Sequence, residues 1–149
     1  MDPNSGTPII ILKDVQSDTM LPIWVGAYEA NAIALEIEKI APPRPMTHDL
    51  LRNVIHDLRG RIDKIVVSDL KENTFYALIY LTRHGETLAI DARPSDAIAL
   101  ALRTRSPIFV EDTVIEHAKT VDFSSEKNDA DRLHKWLESL DPDDLGYKM

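Results

Sequence analysis

Apolar positions recur with two different periods along this chain, and the changes between them mark its elements. Residues 8–13 and 20–25 are short runs rich in Ile and Val, separated by polar residues 14–18, which predicts two strands joined by a polar connection. From Ala27 the period lengthens: Ala30, Ile33, Ala34, Ile37 and Ile40 fall on one helical face, giving a helix over 27–40. Pro42-Pro43-Arg44-Pro45 forbids its continuation, because proline lacks an amide donor and biases its predecessor away from helix. Thr47 is expected to cap a second helix over 48–58, with Leu50, Leu51, Val54, Ile55 and Leu58 as its buried stripe and Gly60 as its terminator.

The period then returns to two. Residues 61–70, 74–82 and 87–91 read as consecutive antiparallel strands, turned by Lys71-Glu72-Asn73 and by Arg83-His84-Gly85-Glu86. Arg93-Pro94-Ser95-Asp96 opens a third helix to Thr104, so apolar through Ala97, Ile98, Leu100, Ala101 and Leu102 that it must be deeply packed. A short strand over 107–110, a short helix over 112–118 and an amphipathic helix over 129–140 complete the pattern, with 120–128 as a linker. Together these predict an α+β single domain, with a largely antiparallel or mixed sheet and helices packed against it. The expected organisation is a domain over residues 1–119 followed by an acidic helical tail over 120–149. Trp24, Tyr28, Phe75, Tyr76, Tyr80, Phe109 and Trp136 sit among apolar neighbours and are expected in core or interface, not in a base-stacking platform.

Composition narrows the classes. At 149 residues and 44% hydrophobic the chain is long enough for one unstapled core, and the absence of cysteine excludes disulfides, thiolate metal sites and a cysteine nucleophile. No apolar run approaches the ~20 residues of a membrane span, and no targeting signal is visible, so a cytoplasmic protein without membrane contact is expected. The formal charge of −8 argues at first against nucleic acid. Its distribution weakens that objection: residues 111–149 hold 11 acids and 5 bases, a net of −6, leaving only −2 for the rest.

Nucleotide-binding, zincin and serine-hydrolase motifs are absent, and three polar clusters remain. On the second helix, His48, Arg52, His56 and Arg59 share one side, with Arg44 and Arg61 at its two ends. They form either a phosphate-facing strip with a proton-shuttling histidine or a solvated face paired with Asp49 and Asp57. In Asp91-Ala92-Arg93-Pro94-Ser95-Asp96, a helix start and Arg93 suit an anion, while Asp91 and Asp96 suit a divalent cation such as Mg²⁺. Ordinary helix capping explains the same residues. Glu29 lies beside its helix's apolar stripe, where a carboxylate has either a partner or only the helix dipole to complement.

Three ordered blocks carry a resemblance: Leu21-Pro22-Ile23-Trp24-Val25-Gly26 with Glu29-Ala30 and Ala32-Ile33-Ala34-Leu35; Pro42-Pro43-Arg44-Pro45-Met46-Thr47-His48-Asp49-Leu50-Leu51; and the run from Asp91 through Ala101. Together they resemble the bifunctional nuclease (DNase/RNase) domain family over residues 2–119. The resemblance implies phosphodiester hydrolysis of RNA and DNA by a bacterial protein. It carries over Glu29, Arg44, Thr47, His48, Asp49, Asp91, Arg93, Ser95 and Asp96 as the family's polar motif residues. In that frame His48, Asp49, Asp91, Asp96 and Glu29 are the catalytic candidates, and Arg44, Arg52, Arg93 and Ser95 the phosphate-binding ones. Asp91 and Asp96 are the candidate metal ligands. The expected partners are a weakly held nucleic acid and further copies of the chain. Family members usually carry a strand upstream of residues 2–13; here that strand is expected to be absent, truncated or replaced by a partner's edge, an arrangement that can leave a sheet edge unprotected. The competing expectations are a non-catalytic oligomeric regulatory or assembly module, and an anion-binding protein. Direct cooperation between the His48 and Asp91–Asp96 blocks requires the fold to bring them within hydrogen-bond reach.

Overall fold

Two sheets divide the strands by their connections. The computed structural model describes residues 6–118 and the backbone of 121–122. Strands β1 (Ile9–Lys13) and β2 (Thr19–Trp24) pair antiparallel, Ile9 facing Trp24 and Lys13 facing Met20. The polar connection is held by the Asp14 N–H donating to the Thr19 carbonyl and by the Asp14 carboxylate accepting from the Gln16 N–H. Helix α1 (Ala27–Ile37) and helix α2 (Thr47–Asp57) follow. Then come β3 (Gly60–Lys71), β4 (Thr74–Arg83), β5 (Glu86–Ala92), α3 (Pro94–Thr104), β6 (Ile108–Val110), α4 (Asp112–His117) and the two-residue β7 (Val121–Asp122). The second sheet runs β5-β4-β3-β6, antiparallel except for the parallel β3–β6 pair, and the first runs β1-β2-β7. The chain is therefore α+β, with one antiparallel and one mixed sheet and helices packed on them. β7 carries the ladder two residues beyond 119, into the segment expected to be linker. The helix expected at 129–140, with Trp136, lies outside the described residues. Among the described residues no helix is long and apolar enough to cross a membrane.

The β3–β4 and β4–β5 hairpins each turn on two residues with positive φ, Glu72-Asn73 and His84-Gly85, the geometry that matches strand twist in tight hairpins. Helix α3 is the centre of the larger core. Ala97, Ile98, Ala99, Leu100 and Ala101 are buried against Ile65, Ala77 and Ile79 of the sheet and Ala32 and Ile33 of α1. Its alanines let three helices and a sheet approach closely. A smaller core joins Leu21, Ile23 and Trp24 to Val67, Phe75 and Val114.

Three local expectations are corrected. α1 stops at Ile37, not Ile40, because Lys39 takes φ 56° and the Ile40 N–H closes back onto the Leu35 carbonyl, so the helix ends before the prolines are reached. Thr47 is the first helical residue of α2 rather than its cap; Met46 precedes the helix, and its N–H is taken by the Asp49 carboxylate at 3.0 Å. Arg59, at φ 68°, makes the left-handed exit expected of Gly60, and Gly60 begins β3 where an added Cβ would stand 3.0 Å from Ile55 Cγ2.

The fourth correction is larger. The α2 stripe is not buried: Leu50, Leu51, Val54 and Leu58 are all exposed, and Ile55 alone packs partly on the core. Trp24 and Phe75 are core as expected, whereas Tyr28, Tyr76 and Phe109 are exposed.

Candidate functional site

A cleft of about 660 Å³ opens between the start of α1, the start of α2 and the end of β5. Its walls are apolar (Tyr28, Met46, Leu51, Ile55, Ile79, Ile90), and Glu29, His48, Asp91, Arg93 and Asp96 bring the polar chemistry. Each comes from an element end. Glu29 lies in the first turn of α1, His48 in the first turn of α2, Asp91 at the end of β5, and Arg93 and Asp96 at the start of α3.

Four of these form one hydrogen-bonded chain. Arg93 Nη2 donates to Glu29 Oε1 at 2.7 Å, and Arg93 Nε donates to Asp96 Oδ2 at 2.9 Å. The other Asp96 oxygen, Oδ1, accepts from His48 Nε2 at 2.9 Å. A carboxylate accepts only, so this bond places the ring proton on Nε2 and leaves Nδ1 for proton exchange. Blocks separated by 48 and 64 residues in sequence thus meet within single hydrogen bonds. Hydrogen bonding to Glu29, then to Asp96, raises the Arg93 guanidinium above its ordinary value, so it remains a fixed positive charge. Glu29 in turn lies against Gly26, where an added Cβ would meet its carboxylate, so the absent side chain leaves room for the Glu29 rotamer.

Asp49 is placed elsewhere. Only 8% exposed, it accepts from Arg103 Nε at 2.7 Å and from the Met46 N–H. Arg103 also donates to the Ala99 carbonyl at 2.8 Å and to the Ala32 carbonyl at 2.9 Å, so one guanidinium joins α1, α2 and α3. Nothing in the sequence reading singled out Arg103. Its signal was a lone base on a helix too apolar to have a polar face, which forces such a residue to be buried and paired. Burial alone would raise the Asp49 carboxyl, but the Met46 N–H and Arg103 outweigh it and hold the group below the ordinary carboxylate value. The stabilisation Asp49 brings is therefore complete above the ordinary carboxylate range and lost as pH falls through its lower folded value. The stability gap between wild type and Asp49→Asn should accordingly shrink in acid, below about pH 4. Urea melts of both proteins across that range measure it, and a gap that stays constant with pH contradicts the assignment.

The phosphate candidates separate. Arg93 is in the cleft. Arg44 is exposed in the proline-rich connection and Arg52 donates to the Asn53 side chain; neither lines the cleft. Ser95, 1% exposed, sits in the core at the first turn of α3 and does not present its hydroxyl to a bound phosphate. His56, nearly fully exposed, stands 3.6 Å from Asp57, away from His48. Among the described residues no three His, Cys, Asp or Glu side chains gather as a metal-holding group. Both Asp96 oxygens are already committed to His48 and Arg93. The donor set therefore does not fit a divalent cation held by protein ligands alone.

The family model of the bifunctional nuclease domain matches residues 10–122. The chain belongs to the bifunctional nuclease domain family. An uncharacterized protein of Mycobacterium tuberculosis is 39% identical over 147 residues, covering 93% of this chain and 88% of that protein. Bifunctional nuclease 1 of Oryza sativa is 27% identical over 105 residues, 68% of this chain and 32% of the plant protein. Bifunctional nuclease 1 of Arabidopsis thaliana is 25% identical over 107 residues, 69% and 33%. The family domain thus includes all four residues of the hydrogen-bonded chain and Arg103, while the match spans about a third of each plant protein.

Proposed function

We propose that this chain hydrolyses phosphodiester bonds in RNA and DNA, and that the Glu29–Arg93–Asp96–His48 cleft is where it does so. The observation that carries the proposal is the meeting of His48, Arg93 and Asp96 in one hydrogen-bonded chain inside a cleft of a nuclease-family domain. His48 exchanges the proton with the attacking water or the leaving oxygen, and Asp96 fixes the ring that does it. Arg93, anchored on Glu29 and Asp96, turns its remaining N–H groups to a phosphate oxygen. Glu29, Asp91 and Asp96 against Arg93 leave the cleft net negative, so nucleic acid is held weakly.

A second reading rests on the same bonds. Because Asp96 spends both oxygens, and Arg93 two donor groups, inside the protein, the chain also suits a clasp that fixes α1, α2 and α3 in a non-catalytic assembly module. Nuclease assays of highly purified wild type and Asp96→Asn, with and without chelator, separate the two. Catalysis predicts a fall of about a hundredfold in rate, at the lower end of what positioned proton transfer contributes, with an unchanged circular dichroism spectrum. A variant as active as wild type, with a lowered melting temperature, assigns these bonds to the fold.

A further inference from the structure

We infer that strand β5 and the exposed apolar face beside it form the dimerisation surface for a second copy of this chain, which then borders the cleft. Tyr28, Met46, Leu51, Leu58, Leu88 and Ile90 are each between 40% and 91% exposed. Four of them, Tyr28, Met46, Leu51 and Ile90, line the same cleft and so lie together, an exposed apolar grouping of the kind that marks an interaction site. α2 has the apolar period of a packed helix without a packed stripe. Among the described residues nothing covers it.

β5 supplies the self-complementarity. It is an edge strand of seven residues without proline, lysine or a bulge, three of the usual guards against edge pairing, and its charges are confined to Glu86 and Asp91 near its two ends. Arg83 and Glu86 close the two-residue turn and face each other across the hairpin. Alternation then directs the backbone groups of Leu88 and Ile90 to β4, and those of Thr87, Ala89 and Asp91 outward. A twofold antiparallel pairing centred on Ala89 sets Leu88 opposite Ile90 of the second copy, in a non-hydrogen-bonded pair whose side chains lie close. These two residues share the sheet face of their β4 partners Leu81 and Ile79, both buried on the helix side, so they join the α2 patch. The same register sets Asp91 opposite Thr87 and Glu86 opposite Ala92, with no acid facing an acid. Centring on Asp91 would oppose two carboxylates. An isologous contact of this kind closes as a dimer. Because Ile90, Tyr28, Met46 and Leu51 also line the cleft, the second copy bounds the site. The inference holds whether or not the cleft is catalytic.

The test is sedimentation of the full chain at micromolar concentration, which should give twice the 16.8 kDa chain mass. Leu88→Glu with Ile90→Glu, both at exposed positions, should weaken association at least a hundredfold. Ala89→Pro should do the same by removing one outward N–H, a substitution an edge strand tolerates. Val15→Glu, at a 97% exposed position in the β1–β2 connection, should leave the dimer intact. Circular dichroism of each variant verifies its fold. A wild-type chain that sediments as a monomer throughout, whether because its own C-terminal segment covers the patch or because nothing does, overturns the inference. So does a dimer that survives both the double glutamate variant and folded Ala89→Pro.

Discussion

Arg103→Ala is expected to lower the melting temperature by roughly 10–20 °C, the largest loss from any single side chain described above. Its side chain is 2% exposed and donates to three acceptors on three helices. Truncation leaves the Asp49 carboxylate and two helix carbonyls without that donor, and a buried pair broken on one side costs about 3–5 kcal/mol. Set against a total stability of about 5–15 kcal/mol, this takes much of the margin. The cause can be separated from simple loss of volume. Asp49→Leu combined with Arg103→Met replaces the pair with apolar groups and should recover most of the lost stability, because an ion pair exchanged whole for packed hydrocarbon is often neutral. Thermal melts of Asp49→Leu, Arg103→Met and the double variant form the cycle. Additive losses would show that the two residues act separately, against the 2.7 Å bond between them.

His48→Ala is expected to reduce nuclease turnover by about 10²–10⁴-fold, the range a positioned proton-transfer group contributes. Stability should fall far less than for Arg103, since Asp96 keeps Arg93 as its partner when the imidazole is gone. The comparison that matters is between His48→Ala and His56→Ala. Both histidines lie on α2, but His56 is nearly fully exposed and beside Asp57, outside the cleft, so its variant should retain wild-type activity. Rates measured on purified proteins by the same route check this. If His48→Ala retains the full rate, the measured hydrolysis does not come from this cleft.

Much of the architecture was legible because local rules govern it. The two tight hairpins, the apolar third helix and the short strand after it follow from alternation, turn residues and proline placement, and all appear where expected. The errors arose where a local rule had a competitor. Helix ends went to Lys39 and Arg59, which adopt the left-handed conformation without being glycine, where closing backbone hydrogen bonds make the exit. Periodicity placed Leu50, Leu51, Val54 and Leu58 on one face of α2 but could not say whether a partner surface exists within the same chain.

The site divides in the same way. From the sequence alone came the residue types able to do chemistry: a histidine at one helix start, an arginine and an aspartate at another, and a glutamate in the first turn of a third. Their local placement at element ends was also determined there, since capping and proline positions depend on near neighbours. Only the tertiary structure decided which of them meet. It joined His48 to Asp96 and Glu29 to Arg93, and it withdrew Asp49 to Arg103, one residue along the same helix turn from His48. Adjacent helical positions point about 100° apart, so one turned to the cleft and its neighbour to the helix junction. Which direction became cleft was set by how α1, α2 and α3 stack, and stacking depends on contacts between residues far apart in the chain.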